Sequence, residues 1–283
     1  MTDKSKGKST GSVETREFYD SRGWVRKEDG RLVDTALFGV KEDGPIRRAG
    51  HKARTARIRE AIKAGSGAVR LLECGCGGTP AVELADLCEH FTAVDFSSRG
   101  LEEAGKALAK TGVAFDVQRA DICDLPFAAK SFDAVYSAHV LYHIPSATAQ
   151  AAAIGEMIRV VRPGGVIVLV VANPRPLASP ARLLSRLIAD IPGISMVATR
   201  LRPSPPLPYK PMTISWMRRQ FRGQAAVDVI SYSIASTWTN HHISEQSFLG
   251  SRFWKLLIHL EDGMPHLGAH LGNYVTVIAR KNA

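Results

Sequence analysis

The stretch Val69-Arg70-Leu71-Leu72-Glu73-Cys74-Gly75-Cys76-Gly77-Gly78-Thr79-Pro80 runs from a short apolar segment into a carboxylate, then into closely spaced glycines, then into a proline able to open a helix. A buried strand that bends sharply into a helix has this pattern. Glycines without Cβ let the backbone lie against a ligand, and a helix start aims free N–H groups at it. A second apolar run, Phe91-Thr92-Ala93-Val94, ends in Asp95, twenty positions after Gly75. An acid at that spacing can reach a pair of ribose hydroxyls. The two features together predict a nucleoside-containing cofactor.

The 283 residues, 45% hydrophobic and 23% charged, are enough for one large domain or a core with additions. No apolar run is long enough to span a bilayer. Residues 1–12 are Lys, Ser, Thr and Gly without an apolar centre, which predicts a disordered tail instead of a secretory signal and a cytoplasmic location by default. Cys74, Cys76, Cys88 and Cys123 have neither CxxC nor His partners at metal spacing, so small buried thiols are expected and no metal. The net charge of +10 is uneven: +6 over 1–65, −4 over 66–173, +8 over 174–222 and zero over 223–283. The basic stretch reads either as a solvated surface or as an anion-binding or membrane-facing element.

Strand patterns at Val69–Cys74, Phe91–Asp95, Ala114–Arg119, Phe132–Ser137 and Val166–Ala172 alternate with helical patterns near Ala81–Glu89, Ser98–Lys110 and Ser146–Val161. Ser146 is placed to cap the last helix, and Pro163-Gly164 to stop it. The alternation predicts an α/β fold, a mostly parallel sheet covered on both faces with its ligand beyond the strand carboxyl ends. Helical pieces over 13–65 form an N-terminal cap and 66–172 the cofactor-binding core. A basic lid insertion, 173–211, contains a short amphipathic helix over 180–191. Residues 212–283 return to the core with strands Ala226–Ile234 and Asn273–Arg280, interrupted by an irregular insertion, 235–270.

Pro80 replaces the third glycine of the dinucleotide fingerprint, and Glu73 just before the loop would repel a pyrophosphate. A ligand bearing an ammonium or sulfonium suits that carboxylate, which favours S-adenosylmethionine over NAD. From Val69 to Ala172 the chain resembles the class I S-adenosylmethionine-dependent methyltransferases, in the small-molecule branch with a type 11-like core. The resemblance rests on Glu73-Cys74-Gly75-Cys76-Gly77, on Asp95 and on Ala120-Asp121-Ile122-Cys123-Asp124-Leu125-Pro126-Phe127. It continues in Ser131-Phe132-Asp133-Ala134-Val135, in His139-Val140-Leu141-Tyr142-His143-Ile144 and in Arg162-Pro163-Gly164-Gly165. It implies a Rossmann-like sheet of seven strands with an antiparallel last strand. It also implies that S-adenosyl-L-methionine is consumed and S-adenosyl-L-homocysteine released. Carried over by position, Glu73, Gly75 and Gly77 would border the methionine part, Asp95 the ribose, and Phe96, Asp121 and Ile122 the adenine. His139 would lie near the transferred methyl, with Tyr19 as a closing residue.

Methyl transfer needs an aligned nucleophile and exclusion of water more than covalent protein chemistry. An oxygen nucleophile would gain from a base of near-neutral pKa, for which His139, His143, His241 and His242 are candidates. The fourth strand lacks an Asn/Asp-Pro-Pro-Tyr element and ends in Ser137-Ala138-His139, which lowers a base-methylating reading and makes nucleic acid a poor partner. The expected acceptor is a small molecule, either anionic (sugar- or nucleotide-linked, or carboxylated) or a lipid or glycolipid met through a peripheral membrane contact at 180–191. An NAD(P)-dependent oxidoreductase and a non-catalytic cofactor-binding protein are the alternatives from other classes.

Overall fold

A computed structural model of the chain describes residues 15–28, 30, 32, 33, 44–64, 69–176, 207–235 and 237–283. The expected tail over 1–12, the helix over 180–191 and most of the lid over 173–211 lie outside the described residues. Among these residues, seven strands form one sheet: β1 (Val69–Cys74), β2 (Cys88–Asp95), β3 (Ala114–Arg119), β4 (Phe132–Ala138), β5 (Val161–Ala172), β6 (Ala225–Ser233) and β7 (Tyr274–Lys281). Their order is β3-β2-β1-β4-β5-β7-β6. β1 to β5 pair in parallel, and β7 runs antiparallel between β5 and β6. The α/β, Rossmann-like expectation therefore holds, with β7 as its antiparallel strand. The chain reverses strand order at β1, and its neighbour β4 carries the sheet the other way. That switch opens a crevice at the carboxyl ends, where the glycine loop lies.

The central strands are apolar on both sides because helices cover both faces. One core contains Leu72, Val94, Met157, Ile167, Phe221 and Val277; the other contains Ile62, Leu71, Phe91, Ala93, Leu108 and Val168. α1 (Pro45–Lys63), α2 (Ser98–Leu108), α3 (Ala147–Val160) and α4 (Ile214–Gln220) follow in chain order. Ser146 caps α3 as expected, its hydroxyl accepting the Ala149 N–H at 3.4 Å. Ser97 caps α2 through the Gly100 N–H at 3.1 Å.

Two stretches depart from the sequence reading. The helix expected over 81–89 is a 3₁₀ turn, Val82–Leu87, and β2 begins at Cys88 instead of Phe91. Glu73 takes the Ala81 N–H while Cys88 already pairs with Val69, so the six residues between them close as a tighter turn. The segment 235–270, expected to be irregular, contains α5 (Thr237–His242), α6 (Phe248–Gly263) and α7 (Pro265–Leu271). α6 carries apolar side chains both toward the protein and toward solvent, so its sequence shows no single stripe.

α1 and α6 are joined by a polar clamp. The buried Glu245 accepts the Arg47 N–H at 2.9 Å and the Ile46 N–H at 3.3 Å, receiving the positive end of α1. The Arg47 guanidinium lies 4.8 Å from the Trp254 ring centroid. Glu261, on α6 and 1% exposed, accepts from Arg54 at 3.2 Å and from the Ile234 N–H at 2.6 Å. Burial pushes its pKa up, and the Arg54 charge opposes that. Arg57 donates to Asp262 at 2.8 Å and to the Glu261 carbonyl at 2.9 Å. No helix among the described residues is long and apolar enough to cross a membrane. All four cysteines are free thiols, buried or partly buried, and no cluster of metal-ligating side chains occurs among the described residues.

Glu261→Ala would strand a partly buried guanidinium and a buried N–H together. The expected loss is about 3 kcal/mol in urea unfolding, with Arg54→Ala costing less because the remaining acid can take up a proton.

Candidate active site

The glycine loop is held at both ends by backbone. The Gly75 and Cys76 N–H groups donate to the Val94 carbonyl at 2.7 and 3.1 Å, so the loop curls over the end of β2. Ser137 Oγ donates to the Cys74 carbonyl at 2.8 Å and ties β4 to the same point. Gly75 has φ +77° and Gly77 φ +52°, in the left-handed region that suits glycine. A Cβ on Gly75 would overlap the Val140 side chain, and one on Gly77 would overlap the Trp24 ring.

Two buried carboxylates flank this loop. Asp95 accepts the Gly77 N–H at 2.9 Å and the Ser97 N–H at 2.8 Å. Glu73 accepts the Ala81 N–H at 3.2 and 3.1 Å. Among the described residues neither has a cationic side chain within ion-pair distance. Burial dominates both: Glu73 is pushed up to about 8 and Asp95 to about 6, against the lowering effect of their N–H donors. The N-terminal segment closes over the loop. Tyr19 stacks on Trp24 with centroids 5.1 Å apart and meets Phe96 edge-on at 6.2 Å. Arg26, hydrogen-bonded to Glu103 of α2, anchors that segment. The Trp24 ring lies against Gly77, and its buried Nε1, beside Gly100, has no hydrogen-bond partner among the described residues.

Beyond the end of β4, His139 takes φ +62°, an uncommon conformation for a residue with a Cβ. Its N–H is fixed by the Val170 carbonyl at 2.9 Å. The ring faces Tyr232 and Tyr274 with centroids at 5.5 and 5.1 Å, and Nδ1 lies 3.0 Å from the Tyr142 hydroxyl. Burial, with a smaller contribution from His143, lowers its pKa to about 4. His143 Nδ1 lies 2.8 Å from the Pro208 carbonyl, and since that oxygen only accepts, Nδ1 bears the proton. Burial lowers the His143 pKa as well. Lys210 joins the rim, its N–H bonded to the Tyr142 carbonyl at 2.7 Å and its side chain exposed.

The structure gathers Tyr19, Glu73, Gly75, Gly77, Asp95 and Phe96 around one loop, and His139 and His143 around Tyr142. The Asp121 loop is brought to Asp95 through the Ala120 N–H, 3.0 Å from the Asp95 carbonyl. Asp121 itself is exposed and caps its own loop, accepting the Cys123 N–H at 2.8 Å. Ile122 packs its side chain into the core with Val94 and Leu125. His242 is exposed on α5. Burial lowers the pKa of both His139 and His143 and so favours the uncharged imidazole, with the Tyr142 hydroxyl and the Pro208 carbonyl as their hydrogen-bond partners. Three residues of the site escaped the sequence reading. Trp24 was legible only as one of several N-terminal aromatics. Tyr232 and Tyr274 reach the carboxyl edge because β7 is antiparallel and its first residue pairs with Ala172 and Ser233.

A mostly parallel sheet with a glycine loop and two acids at its carboxyl edge defines a nucleoside-cofactor domain. Residues 72–169 match a family model described as "Methyltransferase domain". The ubiquinone biosynthesis O-methyltransferase of Methylocella silvestris is 34% identical over 106 residues, which are 37% of this chain and 40% of that protein. The 27-O-demethylrifamycin SV methyltransferase of Amycolatopsis mediterranei is 35% identical over 104 residues, 35% of this chain and 37% of that protein. The aligned part thus spans less than half the length of these curated relatives. In fold, the chain is similar to the crystal structure of magnesium protoporphyrin IX methyltransferase from Synechocystis PCC 6803 with bound SAH. The TM-score is 0.57 at 15% identity, over 96% of this chain and 100% of that one. Residues 72–169 thus carry a methyltransferase domain, set in a Rossmann-like fold.

Glu73 and Asp95 titrate well above the roughly 4 of an unfolded chain, so the folded protein holds extra protons between those values. Their contribution to the stability of the ligand-free chain is therefore full below about pH 4 and is lost as pH rises to about 6 for Asp95 and about 8 for Glu73. Thermal melts across that range should show a Tm drop of several degrees, and Glu73→Gln should remove the upper part of it.

Proposed function

We propose that the protein moves the methyl group of S-adenosyl-L-methionine to an oxygen, nitrogen or carbon nucleophile of a small-molecule acceptor. The observation that carries this reading is the glycine loop set between two buried carboxylates that lack cationic partners among the described residues. A ligand bearing a sulfonium and an ammonium would return those carboxylates to their charged state. The Trp24 N–H beside Gly100, unpartnered among the described residues, fits the same ligand, since an oxygen placed there would satisfy it. When bound, the cofactor supplies an electrophilic methyl on sulfur, which leaves as a neutral thioether. In this reading Glu73, Gly75 and Gly77 border its methionine part. Asp95 accepts from the ribose, Phe96 with the Asp121–Ile122 loop lines the adenine, and Tyr19 with Trp24 covers it.

The acceptor then lies on the other side of His139, against Tyr142, Tyr232 and Tyr274. That wall is apolar and aromatic with two neutral imidazoles, which suits a planar or hydrocarbon-bearing molecule. His139 and Tyr142 orient the nucleophile by hydrogen bonding, and the strained His139 backbone fixes where the ring points. Lys210 at the rim, and Arg175 just past the end of β5, support an anionic group on the acceptor. These exposed cations belong to the basic stretch 174–222.

Affinity for S-adenosylmethionine should rise with pH between about 6 and 8, with proton release visible by calorimetry in buffers of different ionisation enthalpy. The product S-adenosylhomocysteine, which keeps the ammonium but has lost the sulfonium charge, should give a weaker dependence. Asp95→Ala should weaken both by about 10- to 100-fold. Equal pH profiles for the two ligands, or binding of NAD(P) instead, would contradict the assignment.

Labelled cofactor incubated with small-molecule extract should yield a labelled product. On that product His139→Ala should lower kcat on the order of 100-fold without changing cofactor Kd. Lys210→Glu should raise the acceptor KM alone, and an unchanged KM would remove the anionic group from the reading.

A further inference from the structure

α6 turns an unusual face to solvent. Phe248, Leu249 and Leu256 are 69%, 77% and 60% exposed. Helical spacing sets them with Arg252, Lys255 and His259 on one arc of roughly 120°. Gly250, Trp254 and Glu261 lie on the opposite side, in the clamp to α1. From Gln246 to Leu260 there is no Asp or Glu. The Arg252 guanidinium sits 4.3 Å over the Phe248 ring, which keeps cation and aromatic together at the surface. A solvated helix face carries polar residues of both signs, whereas this one interleaves large apolar side chains with Arg252 and Lys255, and the acid at its edge, Asp262, is taken up by Arg57 of α1.

From this juxtaposition we propose that α6 is an interfacial helix that lays its outer face on an anionic lipid surface. Phe248, Leu249 and Leu256 would enter the headgroup layer, and Arg252 and Lys255 would meet the phosphates. The chemistry of the face decides between occupants. In a two-fold pair of copies the same patch meets itself, setting Arg252 and Lys255 against their equivalents with no acid to compensate. A phosphate-bearing bilayer satisfies both halves of the pattern, since exposed apolar side chains gain burial and the cations gain counter-charge. The contact is independent of the transfer reaction and of the helix expected over 180–191. It would set the protein beside membrane-borne molecules without a spanning segment.

The test uses the full chain and vesicles of phosphatidylcholine with and without phosphatidylglycerol. The protein should float with the phosphatidylglycerol vesicles only, and less so as salt is raised. Leu249→Ser with Leu256→Ser leaves the net charge untouched at two exposed positions, and circular dichroism checks that the fold is kept. This pair should weaken vesicle binding on the order of tenfold. Phe248→Trp should add a blue-shifted emission component on anionic vesicles alone. Unchanged binding of the serine variant would assign the attraction to the basic surface in general and overturn the proposal. So would a Phe248→Trp emission indifferent to vesicles. A concentration-dependent doubling of mass in the parent that the serine variant loses would make the face a contact between copies, and would overturn it equally.

Discussion

The curl of the loop from Gly75 to Gly78 over the carboxyl end of β2 is the constraint on which the rest of the site depends. It places two N–H groups on the Val94 carbonyl and a third on the Asp95 carboxylate. That arrangement requires positive φ at Gly75 and Gly77 and requires that both lack a Cβ, because Val140 and Trp24 occupy the adjacent space. Once the loop is fixed, the ends of β1, β2 and β4 come into register. Asp95 then points inward, the Asp121 loop is drawn to it, and the N-terminal aromatics find a flat surface to cover. A side chain at either glycine would displace all of these at once.

The electrostatics follow from the same geometry. Two carboxylates lie in a low-dielectric crevice, each stabilised only by peptide N–H groups. In a structural role such acids would be a standing cost, since burial raises their pKa by more than the N–H donors lower it. Polar groups left this way are expected where a ligand completes them. The contrast with Glu261 is instructive. It is buried as deeply, yet has Arg54 and the Ile234 N–H as partners, and its work is to join α1 to α6.

The sheet and the loop were legible in the sequence because both rest on local rules. Alternating apolar runs and helical patterns mark a parallel sheet, Ser146 marks the start of α3, and closely spaced glycines after a strand mark a turn that needs them. The departures come where distant contacts decide. The 3₁₀ turn at Val82–Leu87 results from Glu73 and from the early pairing of Cys88. α6 went unread because its outward face is also apolar, so periodicity does not separate inside from outside. The residues proposed for the cofactor lie within a short stretch, so local sequence was enough to nominate them. It was not enough for the acceptor side, because Tyr232 and Tyr274 are far apart in sequence and meet His139 only after β6 and β7 pair.

That antiparallel pairing is what gives the acceptor side its character. In an all-parallel sheet, the strand beside β5 would bring its last residues to the carboxyl edge. With β7 reversed, its first residue, Tyr274, arrives there instead, opposite Ala172 and beside Ser233. Tyr232, one residue earlier on β6, completes the wall. His139 then has the rings of Tyr142, Tyr232 and Tyr274 around it. Its pKa falls, and it is left to a neutral role as hydrogen-bond partner to Tyr142. A methyl transfer that proceeds by alignment needs an oriented neutral group more than a strong base. The left-handed backbone at His139, held by the Val170 carbonyl, supplies that orientation at the cost of local strain. In the proposed reading, reversal of one strand and an unfavourable φ at one histidine thus do for the acceptor what two glycines do for the cofactor.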